Sequence, residues 1–231
     1  MGDMFLPDPP EATVSRGTDK PVHTYPRPTV AVDTALLTWD PDRGLLVVEM
    51  WRDDIAKWAL PGTFLRKGET LAEAVERCLT DKLGVVGIRP RQLHVFDDPD
   101  RDDRDWVLSV AHVAVVRPGQ LDSLGSGAAA QTRLAPVDRP GELAWDHPDI
   151  VRLAKNDMRE RYAEEPDPER LLGNRFTMRE LRQLHQAVAG KGEMDRDRFR
   201  RAMERHLIGT QEIQESTGSR GRPAELFRRK R

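Results

Sequence analysis

The segment from Trp58 to Val85, WALPGTFLRKGETLAEAVERCLTDKLGV, places the strongest constraint on the fold of this 231-residue chain. Its first half is a glycine-containing loop, and Thr70 followed by Glu73 forms a capping box that predicts the start of a helix. The apolar side chains of that helix recur every four residues on one face, at Leu71, Val75 and Leu79. The pattern therefore predicts a loop followed by an amphipathic helix that packs against a sheet.

The same segment resembles the Nudix box, the motif of enzymes that hydrolyse nucleoside diphosphate derivatives. The residues in register with the box are Gly62, Gly68, Glu69, Arg77, Leu79, Gly84 and Val85. Thr63 stands where the box has a glycine. The three carboxylates of its glutamate cluster are replaced by Cys78, Asp81 and Lys82. The resemblance implies a Nudix fold in which the catalytic acids have been replaced.

The replaced cluster decides the expected chemistry. Its three positions are spaced i, i+3 and i+4 and therefore share one helix face. Three carboxylates there would hold Mg²⁺, a hard cation that takes oxygen ligands and bridges phosphates. A thiol, a carboxylate and an ammonium group change the formal charge from −3 to 0. We therefore expect no catalytic and no metal-ligating residue, because the hydrolysis relies on metal-assisted activation of water. The alternative is an active Nudix hydrolase of ADP-ribose-like substrates that uses the surviving Glu69 and Asp81.

Candidate ligand-binding residues surround this loop and helix, at Arg52, Trp58, Phe64, Glu69, Arg77 and Lys82. Lys82 is a candidate to contact a diphosphate directly in place of a metal. Arg77 either pairs with an acid and is structural, or faces the ligand. Trp58 and Phe64 are candidates to stack on a base, although core packing is the more common fate of such aromatic side chains. Arg52, at the end of a predicted strand, is a candidate for a pyrophosphate contact.

Charge is divided unevenly along the chain. Residues 170–231 carry 16 Lys/Arg against 8 Asp/Glu, a net of +8, while the rest carries 21 basic and 31 acidic residues, a net of −10. Such a split indicates a basic module that meets an anionic polymer. The single cysteine excludes an intramolecular disulfide, which fits a reducing cytoplasm. No segment approaches transmembrane length and the N-terminus lacks an apolar signal core, so we expect a cytoplasmic protein with no membrane partner.

Three parts are predicted along the chain. Residues 1–28 are rich in proline and predicted to be mobile. Residues 29–165 contain the strand patterns TVAVDTALLTW, LLVVEMW, LHVF and WVLSVAHVAVV, a loop-like stretch from Arg117 to Arg133, and the closing helix HPDIVRLAKNDMRERYAEE. This α/β mixture predicts an α/β/α sandwich with a mixed sheet, as in the Nudix fold, serving as a ligand-sensing domain. Residues 166–231 are predicted to form a winged helix-turn-helix domain.

The C-terminal part has its own helix signals. Thr177 and Glu180 form a second capping box, Gly190 ends that helix, and Asp195 caps the next one. The second helix is predicted to bury one stripe, Phe199, Met203 and Leu207, and to expose another, Arg198, Arg201 and Arg205. Two short strands, TQEIQE and AELFR, then flank the loop STGSRGRP. Two helices followed by a basic hairpin are typical of a winged helix-turn-helix.

This arrangement suits double-stranded DNA. The exposed arginines of the helix are candidates to enter the major groove, where arginine reads guanine through two hydrogen bonds. Arg220 and Arg222 of the loop are candidates to reach the minor groove or the phosphates. The alternative is a solvated charged helix followed by a disordered basic tail. The string RGRP also resembles an AT-hook core, although a wing turn is the preferred interpretation.

Six further strings carry a wider resemblance: YPRPTVAVDTALL, WALPGTF, FDDPDRDDRDWVLSVAHVAVV, LAWDHPDI, FTMRELRQLHQAV and GRPAELFR. With them, nearly everything after about residue 24 is similar to the Nudix-related transcriptional regulators of NAD metabolism, of the NrtR type. The resemblance implies a homodimeric repressor that requires no cofactor. Its Nudix-like domain would bind ADP-ribose or a related nucleotide as effector and thereby lose affinity for palindromic operator DNA. A regulator of the same architecture that answers to another metabolite, such as a sugar or sugar nucleotide, stays open.

Overall fold

The protein is described by a computed structural model over residues 25–122, 124, 131–190, 192, 194–214 and 223–230. Of the predicted mobile segment 1–28, residues 1–24 lie outside this description. Most of the predicted wing loop, including Arg220 and Arg222, also lies outside it.

A mixed seven-stranded sheet forms the first part of the molecule. Its strands are β1 (Thr29–Asp40), β2 (Gly44–Arg52), β3 (Lys57–Ala59), β4 (Gly62–Phe64), β5 (Arg91–Phe96), β6 (Val107–Val115) and β7 (Thr132–Pro136). The main path runs β3-β2-β1-β6-β5, while β4 pairs with β1 and β7 with β2. β1 and β6 are parallel, and the other pairs are antiparallel. A parallel pair at the centre needs cover on both faces.

Helices supply that cover. Helix α1 (Leu71–Leu83) packs on one face and α2 (His147–Glu164) on the other. The predicted capping box of α1 is confirmed: the Glu73 carboxylate accepts from the Thr70 amide at 2.7 Å, and Thr70 Oγ1 accepts from the Glu73 amide at 3.3 Å. The helix ends at Gly84 with a φ of 69°, a left-handed conformation that favours glycine. The predicted α/β/α sandwich is therefore confirmed.

The C-terminal part consists of β8 (Phe176–Thr177), α3 (Met178–Ala189), α4 (Arg196–Glu204), β9 (Leu207–Gln214) and β10 (Ala224–Arg229). Its three strands form a sheet in the order β8-β10-β9. Thr177 caps α3, Gly190 ends it with a φ of 60°, and the Asp195 side chain caps α4. A separate core holds this part together, formed by Phe176, Leu181, Phe199, Met203, Leu207 and Phe227. The predicted winged helix-turn-helix is confirmed.

Two details differ from the sequence prediction. Leu207 is buried as predicted, but as the first residue of β9, because α4 ends at Glu204. The short strands β3, β4 and β7 were not predicted, and β7 begins inside the stretch predicted to be a loop. Their pairing with β1 and β2 comes from tertiary context, which short segments do not encode in their own periodicity.

Helix α3 joins the two parts. Its Leu184 and Val188 belong to the same buried cluster as Leu37 of β1, whereas Leu181 on the same helix belongs to the core of the winged helix. Arg159 of α2 donates to the carbonyls of Val188 at 3.2 Å and Ala189 at 2.8 Å, satisfying the end of α3. The C-terminal part is therefore packed against the sheet through α3. The predicted boundary between residues 165 and 166 stays a prediction.

Over the ranges described above, no helix combines the length and apolar character needed to cross a membrane.

Candidate ligand pocket and nucleic-acid interface

A pocket of about 260 Å³ opens beside the loop that precedes α1. Its lining comes from six separate stretches of chain: Ala31, Asp33, Arg52, Leu60, Gly62, Thr63, Phe64, Lys82, Arg101, Asp102, Arg104, Trp145 and His147. Three of the six predicted ligand-binding residues, Arg52, Phe64 and Lys82, lie in this lining. Its four lysine and arginine side chains outnumber its two carboxylates, so the pocket favours an anion.

A buried carboxylate, Asp33 of β1, lies at the inner end of the pocket and is 8% exposed. Ser109 Oγ donates to its Oδ2 at 2.5 Å. His147 Nε2 lies 3.5 Å from Oδ1, and Arg101 Nη2 lies 3.9 Å from Oδ2. Burial raises the pKa of Asp33, but these three neighbours together outweigh burial and bring the pKa below its ordinary value. The side chain is therefore a carboxylate at neutral pH.

The Asp33 carboxylate lies so close to the backbone at position 62 that this residue must be glycine. A Cβ built on Gly62 would lie 2.0 Å from Asp33 Oδ1 and 3.1 Å from the carbonyl oxygen of Val32. Only glycine permits so close an approach of backbone to side chain. The small residue at the start of the box thus makes room for a pocket group contributed by another strand.

His147, at the start of α2, lies with its Nε2 3.5 Å from the Asp33 carboxylate, which is too long for a normal hydrogen bond. Its Nδ1 accepts from the Leu60 amide at 2.8 Å, so in the neutral ring the proton is on Nε2. The residue is 1% exposed, and Nε2 makes no hydrogen bond to the described residues. Buried polar atoms are nearly always hydrogen-bonded. A polar ligand group in the pocket would satisfy this one.

The positions of the replaced glutamates do not fit Mg²⁺, the ion that the Nudix box implies. Lys82 Nζ donates to the Gly62 carbonyl at 2.5 Å and so brings an ammonium group to the pocket. Cys78 is 2% exposed, and burial raises the pKa of its thiol to about 11, which keeps it neutral. A neutral thiol and an ammonium group are not ligands for a hard dication. Within the described part of the chain, no three His, Cys, Asp or Glu side chains are grouped to hold a metal.

Glu69 and Arg77 lie outside the pocket, in a separate groove on α1. Arg77 donates to both carboxylate oxygens of Glu69, at 2.7 and 3.0 Å, and to the Phe64 carbonyl at 3.0 Å. The hydrogen bonds from Arg77 lower the pKa of Glu69 to about 2. The pair therefore fastens the loop after β4 to α1, which corresponds to the structural role considered for Arg77.

Trp58 also lies outside the pocket. It packs edge-on against Trp51 with ring centres 5.4 Å apart, and the Arg133 guanidinium lies 3.8 Å from its ring centre. Arg133 in turn pairs with the fully buried Glu49 at 2.8 Å. These contacts are those of core packing, the alternative considered for this side chain.

The indole in the pocket is that of Trp145, which sequence reasoning did not select. The Arg104 guanidinium lies 4.6 Å from its ring centre and that of Arg52 lies 5.7 Å away. Its ring is also edge-on to His147 at 5.3 Å. Trp145 has a φ of 49°, a strained conformation for a bulky residue that often accompanies function. This strain is not visible in the sequence.

The exposed face of α4 is the candidate nucleic-acid interface. Arg198, Arg201 and Arg205 are all exposed, as predicted. Arg205 follows the end of α4 and donates to His206 Nε2 at 2.8 Å. Arg198 and Arg201 form no ion pair to any residue that the structure describes, so their guanidinium groups are available to an anionic partner.

A Nudix-type sandwich with a cationic pocket, followed by a winged helix with an exposed arginine face, defines a sensor domain fused to a DNA-binding domain. Residues 28–154 match the family model of the NUDIX domain, and residues 168–229 match that of the NrtR DNA-binding winged helix domain. The chain belongs to the Nudix family. It is a Nudix-fused regulator of the NrtR type.

Similar proteins include regulators and an enzyme. The crystal structure of Shewanella oneidensis NrtR complexed with a 27mer DNA is 28% identical, with a TM-score of 0.72 over 87% of this chain and 93% of that one. The ADPR responsive transcriptional repressor NtrR of Acinetobacter baylyi is 26% identical over 211 residues, 88% of this chain and 83% of the relative. The ADP-ribose pyrophosphatase of Methanocaldococcus jannaschii is 30% identical over 134 residues, 58% of this chain and 76% of that enzyme. Because these relatives include both a repressor and a hydrolase, whether this chain only binds a nucleotide or also hydrolyses it depends on the residues of its own pocket.

Proposed function

We propose that the protein is a transcriptional repressor whose Nudix pocket binds ADP-ribose or a related nucleotide, does not cleave it, and thereby weakens operator binding. The observation that carries this proposal is the Lys82 ammonium group on the Gly62 carbonyl, at the position where the Nudix box supplies a metal-binding acid. The Acinetobacter relative is an ADPR responsive repressor and the Shewanella relative was crystallised with DNA. We further propose that the protein acts in the cytoplasm as a homodimer on a palindromic operator, without a cofactor.

The pocket suits a diphosphate with an attached aromatic ring. Arg52 and Arg104 supply planar guanidinium groups, which pair with phosphate through two parallel hydrogen bonds. Each now pairs with a neighbouring carboxylate, Asp54 at 2.6 Å and Asp102 at 2.7 Å respectively. The acids hold the guanidinium groups at the pocket until phosphate replaces them. The indole face of Trp145 offers a stacking surface for a base.

Binding without cleavage follows from the charges at the box. Lys82 neutralises one phosphate charge, but an ammonium group does not lower the pKa of a bound water as a metal does. The neutral Cys78 thiol adds no charge for a metal to balance. Glu69 is held by Arg77 outside the pocket. The nucleotide is therefore expected to leave the pocket intact.

Helix α2 provides the connection from pocket to DNA. Its first residue, His147, lines the pocket, and its last turn contains Tyr162, whose hydroxyl donates to Asp167 at 2.8 Å. With 18 residues, α2 spans about 27 Å at the usual helical rise. A shift at its pocket end would be passed to α3 through Arg159, which is bonded to the last carbonyls of α3. The ligand must favour one such arrangement over the other in order to change DNA affinity.

The proposal is tested by titrating the purified protein against fluorescent duplexes from upstream of its own operon and of NAD-synthesis genes, with and without ADP-ribose. Salt-sensitive, sequence-selective binding that ADP-ribose weakens is expected. Selective binding that ADP-ribose leaves unchanged would retain the repressor and refute this effector, leaving another metabolite such as a sugar nucleotide. Absence of selective binding together with Mg²⁺-dependent release of AMP would replace the repressor with a hydrolase.

A further inference from the structure

A second concavity, of about 690 Å³, lies where β5 and β6 meet α2 and the segment that leads into the winged helix. Five arginines line it, at positions Arg89, Arg91, Arg117, Arg161 and Arg170. Among the described residues of its lining, Glu169 is the one carboxylate, so positive charges exceed negative ones by four. We call this concavity the junction cleft. It is separate from the Nudix pocket, because the two share none of the lining residues that the structure describes.

The charges of the junction cleft are only partly balanced. Glu169 Oε1 is shared between Arg91 Nη1 at 2.8 Å and Arg161 Nε at 3.0 Å. Arg91 also pairs with Asp157 at 2.5 Å, but its buried Nε has no hydrogen-bond partner among the described residues. Arg89 and Arg170 form no ion pair within the described ranges. A surplus of guanidinium groups around one concave surface produces a positive local potential that attracts anions.

The shape of the cleft favours a small anion over a nucleic-acid duplex. Arg91 is recessed, with its side chain 26% exposed, so a duplex laid across the surface would not reach it. The volume is that of an ordinary small-molecule site, which is roughly 300–1,000 Å³. Several guanidinium groups converging in one cleft match the paired oxygens of linked phosphates. We propose that the junction cleft is a second anion site, which binds a small molecule carrying two or more linked phosphate groups.

A ligand in this cleft would touch both parts of the protein. Arg89 and Arg91 belong to the sheet domain, whereas Glu169 and Arg170 belong to the segment that leads into the winged helix. Direct contacts already cross this junction: the Arg91–Glu169 ion pair at 2.8 Å and the bond from Arg117 Nε to the Arg170 carbonyl at 2.9 Å. A bound diphosphate would add further bridges between the same two segments. Anion binding in the junction cleft does not depend on whether the protein hydrolyses a nucleotide or represses transcription.

The test uses inorganic pyrophosphate as the probe and the double variant Arg89→Ala/Arg170→Gly. Arg170 has a φ of 56°, so glycine relieves backbone strain there while it removes the charge. A matched control, Arg139→Ala/Arg152→Ala, removes the same charge from exposed positions outside the cleft. Calorimetry measures pyrophosphate affinity, and hydrogen exchange with mass spectrometry locates the protected segments.

We expect the cleft variant to bind pyrophosphate at least tenfold more weakly than the wild type, with the control unchanged. Pyrophosphate should protect backbone amides in residues 87–91 and 168–170 of the wild type. Equal weakening in both variants, or protection confined to residues 62–64 and 82 of the Nudix pocket, would overturn the proposal. So would a cleft variant that loses DNA affinity but keeps its pyrophosphate affinity, because the cleft would then be a DNA contact. The operator titration is independent of each of these results.

Discussion

The buried carboxylate of Asp167 holds the two parts of the protein together, and its replacement by alanine should release them. Asp167 is fully buried and accepts four hydrogen bonds. Tyr162 of α2 donates at 2.8 Å and Arg229 of β10 at 2.7 Å. The amides of Leu171 and Leu172 donate at 3.0 and 3.1 Å. Asp167→Ala removes the acceptor for all four donors at once.

The size of the effect follows from the charge left behind. Removing one partner of a buried ion pair costs about 3–5 kcal/mol, because the other charge stays buried without compensation. Leaving buried amide or hydroxyl donors unsatisfied costs about 1–3 kcal/mol each, and such losses do not simply add. We expect a loss of about 4 kcal/mol in the free energy of unfolding, against a total of roughly 5–15 kcal/mol for a native protein. Asp167→Asn keeps one acceptor oxygen and should lose less.

Urea unfolding followed by circular dichroism measures this loss. Glu164→Ala is the control, because Glu164 is an exposed acid three residues away and an exposed substitution changes stability by about 0.5 kcal/mol or less. If Asp167→Ala lowers the free energy of unfolding by less than about 1 kcal/mol, or by no more than the control does, the buried Asp167–Arg229 pair does not hold the two parts together.

Three further results are expected. Hydrogen bonds from Arg77 lower the pKa of Glu69 from 4.5 to about 2, so the stability that the Glu69 carboxylate contributes is present above pH 4.5 and is lost as the pH falls towards 2. The stability of Glu69→Gln should therefore depend less on pH between 4.5 and 2 than that of the wild type, and the same pH dependence in both proteins would contradict this prediction. The double variant Cys78→Glu/Lys82→Glu restores the carboxylate cluster and should bind Mg²⁺ in calorimetry. If its affinity for Mg²⁺ is no higher than that of the wild type, Cys78 and Lys82 are not the reason that the site lacks a metal. Arg201→Ala should weaken operator binding by about 1–3 kcal/mol in anisotropy titrations. Arg200→Ala is the control and should have a smaller effect, because the Arg200 side chain is paired with Glu204 at 2.5 Å. Equal effects of the two variants would exclude a specific contact from Arg201 to DNA.

Local signals in the sequence predicted the helices well. The capping residues Thr70, Thr177 and Asp195 act within one helical turn, so their spacing alone places the start of α1, α3 and α4. Short strands such as β7 were missed because their hydrogen bonds go to distant residues, as when Val48 of β2 pairs with Leu134.

The pocket was predictable only in part. Arg52, Phe64 and Lys82 lie in or beside the box, so the motif itself drew attention to them. His147 is the first residue of α2 and Trp145 lies just before it, and only the tertiary fold brings them to the loop before α1. One signal was present: Asp33 interrupts the apolar strand TVAVDTALL, and a buried acid in such a strand requires partners. Those partners, Ser109 among them, are fixed by the parallel pairing of β1 with β6.

The central claim is that the pocket holds its nucleotide and passes the signal on without cutting it. The most direct measurement follows operator release by fluorescence anisotropy as ADP-ribose is added in the presence of Mg²⁺, and then recovers the nucleotide by chromatography. We predict that DNA is released and that the ADP-ribose is recovered intact. Recovery of AMP in step with release, or intact ADP-ribose with the DNA still bound, would contradict the account.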